Sequence, residues 1–167
     1  MTAFRSAWLG VAFMVLVAPQ ISAQVSVGDF YFFDRSEGGS SQMSVTTLAD
    51  ENPIKGAGGL TWACEAGEAR LIVSSTYLGR SMRARVRWAF DGGEFGDTEN
   101  WILRRTGMAV IAPPEIAAEF TQRALAARKV VVQVTDYQFR RESYTFHLTE
   151  LAEALEMLPC EFQPGDD

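Results

Sequence analysis

Histidine and cysteine are scarce in this chain of 167 residues, which contains one histidine and two cysteines. A structural zinc site needs about four Cys or His ligands at close spacing. Cys64 and Cys160 stand 96 positions apart, and His147 is far from Cys64 in the sequence. This scarcity excludes a zinc site. In the segment containing Phe146 and Leu148, His147 falls on the polar side of a predicted strand, so we expect no Ser-His-Asp catalytic site.

Positive charge is also in deficit, because 15 Lys and Arg residues face 21 Asp and Glu residues, a formal net charge of −6. Proteins bind nucleic acids and anionic membranes through clustered cations in excess. We therefore expect no nucleic-acid partner. No second long apolar run follows the N-terminal segment, so no membrane span is expected after that segment.

The first 23 residues have the features of a secretory signal peptide. Arg5 precedes an apolar run over residues 7–17, Pro19 breaks this run, and Ala23 is a small residue before an expected cleavage site. The run is far shorter than the about 20 residues that a membrane-spanning helix needs. A buried core helix is the alternative. We expect a periplasmic or secreted protein whose mature chain begins at Gln24.

Two cysteines in an exported protein usually form a disulfide. The sequence therefore predicts a bridge between Cys64, in a β-like segment, and Cys160, directly after a predicted helix. A bridge that closes so long a loop contributes about 2 to 4 kcal/mol to stability. The alternative is two free, buried thiols.

Alternation of polar and apolar residues predicts most of the strands. In residues 82–90, an apolar face that begins with Met82 alternates with Arg83, Arg85 and Arg87. The Gly-rich residues 91–97 then form a hairpin-type connection. Further strands are predicted around Cys64 and at residues 29–35 (an edge strand), 44–50, 70–78, 99–105, 108–112, 130–137 and 143–148.

Two segments have helical signals. Residues 113–129 place Pro114 at the first helical position, acids early and cations late, which matches the helix dipole. Thr149 is the predicted cap of a second helix that ends before Pro159. The predicted inward-facing residues are Ile116, Phe120 and Ala124 in the first helix and Leu151, Leu155 and Leu158 in the second.

These elements predict an α+β fold with an antiparallel β-rich core, either a sandwich or a curled sheet, and two short packed helices. The length suits one domain. Residues 24–59 supply N-terminal strands and Gly/Ser-rich loops, residues 60–162 form the main α+β domain continuous with them, and residues 163–167 form an acidic tail.

Arg83, Arg85 and Arg87 share one strand face at a spacing of about 7 Å. Like charges so placed repel unless acids or an anionic partner offset them. Arg104 and Arg105, in the predicted hairpin partner, extend this candidate anionic-partner surface. The alternative is cross-strand pairing with nearby acids. The acids considered are Glu65, Glu68 and Glu99.

Two groups of carboxylates are candidates for catalysis or metal binding. Glu150, Glu153 and Glu156 lie opposite an apolar helix stripe, where side chains normally face water. The second group lies in the turn around Gly93, which occupies a position where a calcium loop needs a ligand. We expect no catalytic residue, metal or cofactor. The acids of the turn are Asp91, Glu94, Asp97 and Glu99.

The order of these segments over residues 44–160 resembles the VasI/TagO family of periplasmic type VI secretion accessory proteins. The resemblance rests on Cys64 in its strand, the sequence VRWAFD at residues 86–91, the Ala-x-Pro entry at residues 112–114, and a Thr-Phe-x-Leu strand followed by a short helix and Cys160. It implies a periplasmic, non-enzymatic accessory domain.

We therefore expect an exported binding or accessory domain of the cell envelope with an envelope protein as its partner. The alternatives are a cell-envelope hydrolase that uses carboxylates and a soluble carrier of an apolar ligand. Two close, buried acids in a cleft would favour the hydrolase. A dry, enclosed cavity between the sheet and the helices would favour the carrier.

Overall fold

A computed structural model describes residues 25–35, 41–50, 58–75 and 78–162. They form one ten-stranded antiparallel sheet and two helices, which confirms the predicted α+β class. The predicted signal peptide and acidic tail lie outside the described residues. The strands are β1 Val25–Val27, β2 Phe30–Asp34, β3 Gln42–Leu48, β4 Gly59–Glu65, β5 Glu68–Ser74, β6 Arg83–Phe90, β7 Glu99–Leu103, β8 Ala109–Ile111, β9 Lys129–Thr135 and β10 Arg141–His147, and the helices are α1 Pro114–Leu125 and α2 Leu151–Glu156.

The strands follow the order β1-β2-β3-β4-β5-β8-β7-β6-β9-β10. Asp50, just after β3, forms an isolated bridge with Thr145 in β10, and its N–H donates to the Thr145 carbonyl at 2.9 Å. Since β3 is third in the sheet and β10 is last, this contact requires the sheet to curl. The single sheet therefore corresponds to the curled architecture and not to a two-sheet sandwich.

Helix α1 packs against the inner face of the curled sheet. The fully buried Phe120 ring lies 5.4 Å from the Trp88 ring, 5.2 Å from Phe90 and 6.2 Å from Trp62, centroid to centroid. The Trp62 Nε1–H donates to the Thr121 hydroxyl oxygen at 2.9 Å. This aromatic cluster fixes the inner side of β6, so the opposite side of β6 faces outward.

The predicted bridge between Cys64 and Cys160 is present, with Cα atoms 5.9 Å apart. Cys64 lies in β4 and is 1% exposed, whereas Cys160 follows α2. The bond therefore holds the segment after α2 against the middle of the sheet. No helix in the described part of the chain combines the length and the hydropathy that crossing a membrane requires.

Three local predictions were wrong. Met82 is 86% exposed because β6 begins only at Arg83, so Met82 lies on the preceding connection, beyond the core. Thr149 does not cap α2, because the cap is Glu150 in the left-handed region and the Leu151 N–H is satisfied by the Leu148 carbonyl at 3.1 Å. β2 is not an edge strand, because β1 pairs with its outer side.

Candidate functional site

The outward face of β6 presents the arginines that the sequence singled out. Arg83 and Arg85 are exposed and Arg87 is half-buried, whereas Ala84 and Val86 between them are buried. The inward residues are held by the core, so the period-two geometry of the strand fixes the arginines on the other side.

None of these three arginines forms an ion pair with an acid among the described residues. The acids considered as partners lie elsewhere. Glu65 pairs with Arg104, and Glu68 pairs with Arg70. Glu99 occupies the register position opposite Val86 and not opposite an arginine. Cross-strand pairing with Glu65, Glu68 or Glu99 therefore does not account for these arginines.

Two of the arginines contact aromatic rings instead. The Arg87 guanidinium carbon lies 4.6 Å from the centre of the Phe95 ring, and the Arg87 Nε–H donates to Gln133 Oε1 at 2.8 Å. The Arg85 guanidinium carbon lies 5.3 Å from the Phe139 ring. Stacking holds a guanidinium group in place and leaves N–H groups at its edge for an anionic ligand.

A fourth arginine, Arg141, belongs to the same face and was missed at the sequence level. Thr135 in β9 pairs with Arg85 on one side and with Arg141 on the other, so the register brings both arginines onto one face of the sheet. Arg141 is exposed. Arg141 is recognised as a neighbour of Arg85 only from the pairing of β9 with both β6 and β10. We call Arg83, Arg85, Arg87 and Arg141 the arginine face.

Arg104 and Arg105 lie beside this face and not on it. They follow β7 in a tight turn, where the Gly107 N–H donates to the Arg104 carbonyl at 2.8 Å. With residues 79–82 and 102–103 they line a surface groove with a volume of about 450 Å³. Arg104 is neutralised by Glu65, whereas Arg105 is exposed. The structure therefore divides the predicted surface into a strand face and an adjoining groove.

His147 has a structural partner. Its Nε2 atom lies 2.6 Å from Oδ2 of Asp50, the residue that also bridges to Thr145. The side chain is exposed and alternates with the buried Phe146 and Leu148, as the sequence predicted. The pair joins the end of β3 to β10.

A buried polar cluster that the sequence did not reveal lies where β5 ends near β10. The Ser75 hydroxyl lies 2.7 Å from the Tyr144 hydroxyl and donates to Glu142 Oε2 at 3.0 Å, and the Tyr144 hydroxyl donates to the same Glu142 oxygen at 2.6 Å. Ser75 and Tyr144 are buried. The cluster connects strands that are distant in the sheet order, so its hydrogen bonds help to close the curl.

Asp136 is the buried carboxylate of the β9–β10 turn. Burial raises the pKa of Asp136, but hydrogen bonds from the Arg140 side chain and from the backbone N–H groups of Arg140 and Gln138 outweigh it, so the net pKa lies below the usual value. A carboxylate held ionised in this way stabilises the turn and is a poor general acid.

The acidic turn after β6 also stabilises the backbone at the start of β9. Asp91 Oδ1 accepts the backbone N–H groups of Arg128 and Lys129, each at 3.0 Å. Among the residues that the structure describes, no group of three or more His, Cys, Asp or Glu side chains has the geometry of a metal site.

Comparison with known proteins gives no match to a family model, to a curated protein or to a solved structure. The resemblance to the VasI/TagO family therefore stays a prediction.

Proposed function

We propose that this chain is an exported, non-enzymatic binding or accessory domain of the cell envelope that docks an acidic protein partner through its arginine face. The observation that carries the proposal is the absence of ion pairs at Arg83, Arg85 and Arg87 within the described residues. Cations that have no internal counter-charge gain most from an anion supplied by a partner.

The orientation of these side chains supports binding rather than general solubility. Phe95 and Phe139 support Arg87 and Arg85, and Gln133 fixes the Nε–H of Arg87. A supported guanidinium group loses less conformational entropy when it binds a carboxylate than a free one does. In a chain with a formal net charge of −6, a local basic surface would also orient the approach of an acidic partner.

Export and an accessory role have separate support. The bridge between Cys64 and Cys160 suits an oxidising compartment, and the N-terminal sequence has the features of a signal peptide. The resemblance to VasI/TagO proteins suggests the periplasm and a role beside a secretion apparatus.

The test is capture of a partner from an envelope extract by wild type and by Arg85→Glu. Arg128→Glu is the matched control, because it reverses an exposed charge near the opposite end of β9. We expect Arg85→Glu alone to lose capture. Melting curves of both variants should give a free energy of unfolding within about 0.5 kcal/mol of wild type, which is the usual effect of a surface substitution. Equal capture by wild type and Arg85→Glu would overturn the proposal.

A further inference from the structure

The groove beside the arginine face carries exposed apolar side chains. Met82 is 86% exposed and Ile102 is 51% exposed, and both line the groove of about 450 Å³. Two exposed cations, Arg80 and Arg105, line the same groove. The groove is therefore suited to an apolar side chain that is attached to an anionic segment.

The groove is continuous with the arginine face. Arg83 in β6 and Ile102 in β7 are directly opposite in the antiparallel register, so their side chains leave the same side of the sheet about 5 Å apart at Cβ. Along β6, the arginine face runs from Arg87 through Arg85 to Arg83. Met82 and Ile102 lie at the Arg83 end. A ligand that follows β6 meets cations first and the apolar groove at the end.

The loop at the opposite end of the face carries acidic residues. Phe95, which supports Arg87, lies in the loop that also carries the exposed Glu94 and Asp97. A long, uniformly anionic polymer that ran past Arg87 would meet these carboxylates and be repelled. A short acidic segment would fit between the loop and the groove.

We propose that the partner segment is an extended acidic peptide with alternate carboxylates and a large apolar side chain at the end that reaches the groove. This inference rests on the proposed docking function and specifies its ligand. Side chains two positions apart on an extended peptide are about 7 Å apart, which is also the spacing of Arg83, Arg85 and Arg87 along β6. Each guanidinium group would face one carboxylate, and the apolar side chain would contact Met82 and Ile102.

Synthetic peptides test the proposal directly. One labelled peptide has three glutamates alternating with serines and a leucine at each end, so that either direction along β6 is covered, and the second has serine in place of both leucines. Binding to the oxidised wild-type domain is measured by fluorescence anisotropy in about 0.05 M salt, where charge attraction is weakly screened. We expect the leucine peptide to bind about tenfold more tightly, which corresponds to partial burial of one leucine.

Variants of the groove separate the apolar contact from the charge contact. In the double variant Met82→Ser/Ile102→Ser, the two peptides should bind with equal affinity. That affinity should match the wild-type affinity for the serine peptide. Met108→Ser is the matched control, because Met108 is 53% exposed and does not line the groove. It should preserve the tenfold preference.

The outcomes distinguish this inference from the docking function. If wild type binds both peptides equally and Arg85→Glu abolishes the binding, the arginine face docks acidic segments and the apolar specificity is wrong. If neither peptide binds, the docking function and this inference both fail. Polyphosphate of equal charge serves as the polymer control, and tighter binding of polyphosphate than of the leucine peptide would overturn the peptide assignment.

Discussion

Arg87 lies over the Phe95 ring, with the guanidinium carbon 4.6 Å from the ring centre, and this contact joins β6 to the loop that follows it. The stack fixes a cation that no acid among the described residues pairs with. The loop after β6 therefore contributes to the arginine face although it contains no arginine.

Replacing Phe95 by leucine should weaken binding of the acidic peptide by about two- to fivefold, because an exposed cation–π contact is worth about 0.5 to 1 kcal/mol. The melting temperature should change little. Phe33→Leu is the control, since Phe33 supports Arg35 in the same manner on another strand, with 5.8 Å between the guanidinium carbon and the ring centre. Equal losses in the two variants would contradict a specific role for Phe95.

Removing the disulfide should lower the free energy of unfolding by about 2 to 4 kcal/mol. The measurement is urea denaturation of the double variant Cys64→Ala/Cys160→Ala beside the oxidised wild type. Reduced wild type is the control and should unfold at a urea concentration close to that of the double variant. Two alkylatable thiols in the native, oxidised protein would contradict the bridge.

Thr121→Val should destabilise the domain by about 1 to 3 kcal/mol, because the fully buried indole N–H of Trp62 would lose its hydrogen-bond acceptor. Thr121→Ser keeps the hydroxyl and should retain most of the stability. Thermal and urea denaturation of the three proteins measure the difference. A valine variant as stable as the serine variant would show that the hydrogen bond between Trp62 and Thr121 contributes nothing.

Asp136→Asn should destabilise the domain at neutral pH and have a smaller effect in acid. The pKa of Asp136 is lowered in the folded protein, so its stabilising contribution is present above the unfolded value of 3.8 and is lost as the pH falls through the lower folded value. Melting curves of wild type and variant at pH 7 and pH 3 test the sign. Asp97→Asn, an exposed acid in the loop after β6, is the control.

Expression in a host with a secretory pathway should yield a mature protein that begins at Gln24. Intact-mass measurement of the exported fraction checks the cleavage site. A mass that still includes residues 1–23 in the soluble exported protein would contradict the predicted signal peptide.

Apart from Met82, the sequence predicted the face of β6 correctly because the period of two is visible within one strand. It also predicted the start of α1, where Pro114 occupies the first helical position. Both inferences depend on residues that are close in the chain. The edge assignment of β2 failed because β1, a strand of three residues, is too short to give a periodic signal.

The remainder of the candidate site depends on contacts between distant residues. Arg141 joins the arginine face only because β9 lies between β6 and β10. Stacking of Arg85 on Phe139 depends on the path of the β9–β10 turn, and the groove requires residues 79–82 to meet residues 102–105. No local pattern encodes these pairings, so the sequence predicted the arginines of β6 and not their surroundings.

We expect the closure of the sheet to impose an order on folding. The β4–β5 hairpin is local and turns through Ala66 and Gly67, both with positive φ, so it can form early. The bridge from Asp50 to Thr145 and the bond from Cys64 to Cys160 join segments distant in the chain, and such contacts form slowly. The hairpins should therefore appear first in refolding, and oxidation of the cysteines should follow the arrival of β10 and α2 at the sheet.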